Sequence, residues 1–146
     1  MKKKAVLSFC LSLVFTLLST SVVIGQTRTE MIGSIDDKVS LKRDGDQYLL
    51  TYRNNNLNSD KADNQLTIKD KETLDNLYTF IIEGFDSMNP GPVQFEMDKN
   101  ELRLYYNKKF LGKDLVEIIH ENKETEETGT IYRLSQKDVQ ELFGKS

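Results

Sequence analysis

His120 is the one histidine of this 146-residue chain, and it ends an apolar run beside Glu121. An imidazole titrates near neutrality and can serve as a general base or a metal ligand. A triad, however, needs an activated nucleophile beside it, and a metal centre needs several converging ligands. Neither H-E-x-x-H nor G-x-S-x-G occurs, so no local pattern supplies either. The expectation is a surface or strand-end histidine, and no metal and no cofactor. Asn56, Asn58, Asp60 and Asp63 alternate like the oxygen ligands of a calcium loop. Such a loop wants Gly at its sixth position and Glu at its twelfth, where this chain has Lys61 and Thr67. Asn and Asp also favour turns through their own backbone hydrogen bonds, so a solvated loop is expected. Glu124, Glu126 and Glu127 read the same way. The 23 acidic residues could be paired for glycoside cleavage in many ways, and the sequence selects none.

A different chemistry, recognition by a surface, is suggested by strand alternation. If Leu104 and Tyr106 face a core, Arg103, Tyr105 and Asn107 face away. The same phase turns Leu49, Thr51 and Arg53 outward, with Leu115, Glu117 and Ile119 from a neighbouring strand. Tyrosine, arginine and aliphatic groups on one open face have the composition of interface hot spots. Arg53, Arg103, Tyr105 and Glu117 are the candidate binding residues.

The elements that must position these groups are led by residues 66–85, LTIKDKETLDNLYTFIIEGF. There a short strand runs into a helix. Leu74, Leu77, Tyr78, Ile81, Ile82 and Phe85 fall at i, i+3, i+4, i+7, i+8 and i+11, the spacing of one buried stripe on an amphipathic helix. Asp70 occupies the N-cap position, where its carboxylate can accept from the first turn's free N–H groups. Residues 132–144 repeat the arrangement with Ser135 as cap, Asp138 three residues on, and Val139, Leu142 and Phe143 as the stripe.

Between these lie alternating strands. Val39 and Leu41 precede Asp44-Gly45, and Tyr48, Leu50 and Tyr52 follow it, a strong hairpin signal. Asn89-Pro90-Gly91-Pro92 stops the first helix. Val93–Met97, Leu102–Tyr106, Leu115–His120 and Ile131–Leu134 read as further strands, while residues 26–35 show no periodicity and read as a leader. Asp70, Leu74, Leu77 and Tyr78 match Ser135, Val139, Leu142 and Phe143 at a constant shift of 65 residues. The expected fold is α+β, a mostly antiparallel sheet with two amphipathic helices on one face. It suggests a tandem duplication of a β-β-β-α unit, with halves at about 36–86 and 93–146.

Lys2, Lys3 and Lys4 followed by the apolar run from Ala5 to Leu18 and a small-residue exit describe a secretory signal, residues 1–25, cleaved before Gln26. Serines and threonines interrupt the run, which argues against a retained membrane span. Its removal takes three lysines and no acid, leaving 17 basic residues against 23 acidic ones and moving the net charge from −3 to −6. Nucleic-acid binding needs clustered Lys and Arg, and that class is set aside. Cys10 leaves with the signal, so residues 26–146 contain no cysteine for a disulfide, a thiolate nucleophile or a zinc site.

These features fit a secreted or periplasmic binding module, more a non-enzyme than an enzyme. It would recognise a protein or envelope component through the open sheet face, and the acidic loops would steer a basic partner. Two alternatives remain: a small secreted hydrolase using carboxylates near His120, and a structural subunit of a surface complex. A hydrolase predicts a deep pocket with perturbed titratable groups, whereas a binding module predicts an open face.

Overall fold

The computed structural model describes residues 28–55, 63–110 and 112–146. Residues 1–25, where a secretory signal is expected, Cys10 among them, and the loop positions Asn56, Asn58 and Asp60 lie outside the described residues. The described chain is a mixed α+β fold of two four-stranded antiparallel sheets and two helices. Strands β1 (Glu30–Ile35), β2 (Val39–Asp44), β3 (Gln47–Arg53) and β4 (Asp63–Ile68) form the first sheet in that order, and helix α1 (Lys71–Ser87) follows. Strands β5 (Val93–Met97), β6 (Asn100–Phe110), β7 (Lys113–Asn122) and β8 (Thr128–Ser135) form the second, followed by α2 (Gln136–Leu142).

Two expectations are corrected. One sheet of two three-stranded halves was expected, but the strands divide into two sheets of four. The lack of periodicity over residues 26–35 predicts a leader, yet residues 30–35 pair antiparallel with β2 from Glu30↔Arg43 to Ile35↔Val39. The register shifts between Met31 and Gly33. Such an irregularity breaks the period-2 pattern by which a strand is recognised.

Local chemistry fixes the element ends. Asp70 accepts from the Thr73 N–H at 2.8 Å. At α2 the Ser135 side chain accepts from the Asp138 N–H, and the Asp138 carboxylate accepts from the Ser135 N–H at 2.8 Å, a reciprocal capping box. Asp44 pairs with Gln47 across the two-residue loop Gly45-Asp46, where Gly45 takes a φ of 62°, open to glycine at no steric cost.

Leu74, Leu77, Ile81 and Phe85 of α1, with Val139 and Leu142 of α2, join the inward-facing residues of both sheets in one buried cluster. Along β3 these are Tyr48, Leu50 and Tyr52; along β6, Leu102 and Leu104; along β7, Val116 and Ile118. Each such side chain contributes roughly 1.5–3 kcal/mol relative to exposure. The alternate residues of these strands are therefore held on the opposite, outer faces. No helix among the described residues is long and apolar enough to cross a membrane.

Candidate functional site

Two places bring chemistry-bearing residues together: the cleft around His120 between the sheets, and the outer face of the second sheet.

His120 shares the inward phase of Val116 and Ile118 and is buried at 5% exposure; of the expected surface or strand-end position, the surface is corrected, while the residue lies two positions before the end of β7. It remains polar inside because both ring nitrogens are satisfied. Nε2 lies 2.8 Å from Asn100 Oδ1, and Nδ1 lies 2.8 Å from the Tyr52 hydroxyl. An amide oxygen only accepts, so it holds the ring proton on Nε2 and leaves Nδ1 to accept from the Tyr52 O–H. The Asn64 side chain in turn hydrogen-bonds the tyrosine oxygen. The chain Asn64–Tyr52–His120–Asn100 thus runs from β4 through β3 to β7 and β6, two residues from each sheet. Its rings meet edge-on, with centroids 5.9 Å apart.

Burial governs the titration of this chain. Desolvation pushes the Tyr52 hydroxyl up to about 12, against the Asn64 hydrogen bond. The same effect moves His120 below the ordinary imidazole value, and the Glu127 carboxylate opposes it. Both shifts favour the neutral forms. A cleft of about 370 Å³ opens beside the pair, lined also by Asp63, Asn64 and Glu127. As a general base His120 is poorly placed, because its one acceptor nitrogen is occupied by Tyr52 and, among the described residues, no serine, threonine or cysteine lines the cleft. No group of three or more His, Cys, Asp or Glu among the described residues could hold a metal ion.

Gly129 makes this contact possible. It stands opposite His120 in the β7–β8 register, and a Cβ there would lie 2.3 Å from the Tyr52 hydroxyl and 2.5 Å from Asn64 Nδ2. Main-chain bonds reinforce the same end: the Thr130 N–H donates to Asn54 Oδ1 at 3.1 Å, and the Asn55 N–H to the Thr130 carbonyl at 3.3 Å.

On the second sheet's outer face, Arg103, Tyr105, Leu115, Glu117 and Ile119 are all half-buried. Tyr105 stands opposite Glu117 and Arg103 opposite Ile119. Arg53 is exposed but belongs to the first sheet, opposite Asp63. The four candidate residues are therefore divided three to one between sheets.

Charge pairing organises this face. Glu96, Glu101 and Glu121 are direct register neighbours across β5, β6 and β7, an arrangement that destabilises a sheet when uncompensated. Arg103 binds Glu101 through Nε at 2.7 Å and Glu121 through Nη2. Lys123 Nζ lies 3.5 Å from Glu96 and 3.8 Å from Glu101. Glu117 accepts from Arg133 Nε at 2.8 Å. Arg103 is thus a countercharge within the sheet before it is anything else.

Sequence reasoning did not identify Tyr52, Asn64, Asn100 and Gly129 as partners of His120. The inward direction of His120 was available, since the alternation that turns Glu117 and Ile119 outward turns it inward. No family model matches the chain, and neither does any curated protein or solved structure.

Proposed function

We propose that this chain is an exported, non-enzymatic binding module that recognises a protein or envelope component with the outer face of its second sheet. The observation that carries this reading is the half-exposed group Tyr105, Leu115 and Ile119. It lies beside ion-paired Arg103 and Glu117 on the face opposite the core. Oriented, neutralised charges around apolar contacts suit a partner that must be selected without burying unpaired charge. Glu124, Glu126 and Glu127 in the β7–β8 loop would steer a basic partner.

The order of four strands and a helix, twice over, supports reading the chain as two copies of one unit. The burial stripes of its helices support the amphipathic reading. Removal of residues 1–25 and release to the periplasm or the medium complete the proposal. Recovery of the protein with Gln26 as its first residue would support export, and an intact N-terminus would overturn it.

Affinity capture from envelope and culture-fluid fractions tests the face itself, with bound proteins identified by mass spectrometry. The expected result is a partner lost by Tyr105→Ala and kept by Arg53→Ala, because these residues lie on different sheets. Equal recovery by wild type and Tyr105→Ala, with both folded, overturns the assignment.

A further inference from the structure

We propose that the hydrogen-bonded chain Asn64–Tyr52–His120–Asn100 is an acid-released latch between the two sheets. Its geometry permits only one protonation state. Nε2–H is donated to Asn100, and Nδ1 must accept from the Tyr52 hydroxyl. Adding a proton to Nδ1 turns that acceptor into a donor facing a hydroxyl that Asn64 already approaches. Tyr52 would then have to turn its own proton elsewhere, and it is fully buried, with the Gly129 backbone against its hydroxyl. An unmatched buried donor is costly. The adjoining cleft of about 370 Å³ offers a relief: this end of the two sheets parts and water solvates the imidazolium.

Among the described residues the charged surroundings are few. Asp63 lines the cleft from β4 and Glu127 from the β7–β8 loop. On the β6 side the partner is the neutral Asn100, and the adjacent Lys99 is paired with Glu124. Glu121, next to His120 on β7, is bound by Arg103 on the other face. Only Glu127 is a resolved influence in favour of the imidazolium, and it is outweighed by burial. The sign follows: His120 sits below the ordinary value of 6.5. The latched state is therefore fully favoured above about pH 6.5 and loses ground as pH falls toward His120's own lowered value.

Because the chain has one histidine, its imidazole signals are unambiguous. NMR titration from pH 8 to 4, with amide hydrogen exchange expressed as protection factors, tests the latch on the full chain. Residues 63–66 and 128–131 should lose protection by up to about tenfold per pH unit below about 6.5, while α1 keeps its own. His120→Gln, which cannot gain the proton, should remove that response. The latch is overturned if folded His120 titrates at the ordinary value, if His120→Gln keeps the response, or if protection falls equally across the chain. Should His120→Gln not fold, Tyr52→Phe carries the test. Without the hydroxyl, Nδ1 loses the bond that favours its neutral form, so His120 should titrate higher and the response shrink. An unchanged titration in Tyr52→Phe refutes the latch as well.

Discussion

Replacing Gly129 by alanine adds a single methyl group to β8 at the point where the two sheets touch. Gly129 is not among the positive-φ glycines, so alanine can adopt its backbone conformation. Elsewhere such a change in a strand would stabilise by about 0.5–1 kcal/mol, through reduced freedom of the unfolded chain. Here the new Cβ would fall 2.3 Å from the Tyr52 hydroxyl, 2.5 Å from Asn64 Nδ2 and 3.0 Å from Tyr52 Cε2. Tyr52 is fully buried and cannot swing aside. Overpacking of this kind costs about 1–3 kcal/mol. Displacing the hydroxyl from His120 Nδ1 leaves buried polar groups unmatched, at about 1–3 kcal/mol more. The expected loss is about 2–5 kcal/mol, or roughly 6–20 °C in Tm for a chain of this size. Urea and thermal unfolding measure it, with Gly91→Ala as the control, since a Cβ there meets nothing within 4 Å. A double-mutant cycle with Tyr52→Phe localises the effect, because removing the hydroxyl removes the closest clash. The cost of Gly129→Ala should then fall by about 1 kcal/mol or more. A neutral or stabilising Gly129→Ala, or additivity with Tyr52→Phe, would refute the close packing on which the inter-sheet contact rests.

Two further outcomes follow from the electrostatics. Arg103→Gln removes the cation between Glu101 and Glu121 and leaves the glutamate row of β5–β7 underneutralised. Its Tm should fall below wild type at low ionic strength, and the gap should narrow in about 1 M salt, where screening reaches only about 3 Å. A salt-independent gap would contradict the countercharge role. Asp70 is held below the ordinary carboxylate value chiefly by the Thr73 N–H, so its contribution is present above the unfolded value and is lost as pH falls through the folded one. Asp70→Asn keeps a capping side chain without the charge. It should flatten the acid limb of the stability profile below about pH 4, and an unchanged limb would discount the cap.

Local signals carried far in this sequence, and long-range ones did not. The cap at Asp70, the capping box at Ser135 and the Asp44-Gly45 turn depend on contacts within three residues, and each is found. Strand phase was equally legible: Tyr48, Leu50 and Tyr52 are buried while Leu49 and Thr51 are not. Strand pairing is another matter. Nothing in the alternation of β4 and β5 says whether they are neighbours, since α1 lies between them and its length allows either outcome. The partition into two sheets was therefore out of reach, and with it the separation of Arg53 from Arg103. Tyr52 and His120 are 68 residues apart, and a buried histidine displays no local mark of its partner.

Among the described residues, a polar chain runs through a core otherwise built of aliphatic and aromatic side chains. Leu, Ile and Val at the meeting of two sheets supply burial, but they tolerate sliding and repacking at small cost. A fully satisfied hydrogen-bond chain does not, because each displaced member leaves a buried group unmatched. Asn64, Tyr52, His120 and Asn100 therefore fix how the two sheets meet at this end. The same satisfaction occupies the acceptor nitrogen of the imidazole, and burial favours the neutral forms of both His120 and Tyr52. His120 is thereby committed to structure, tying β7 of the second sheet to β3 of the first through Tyr52.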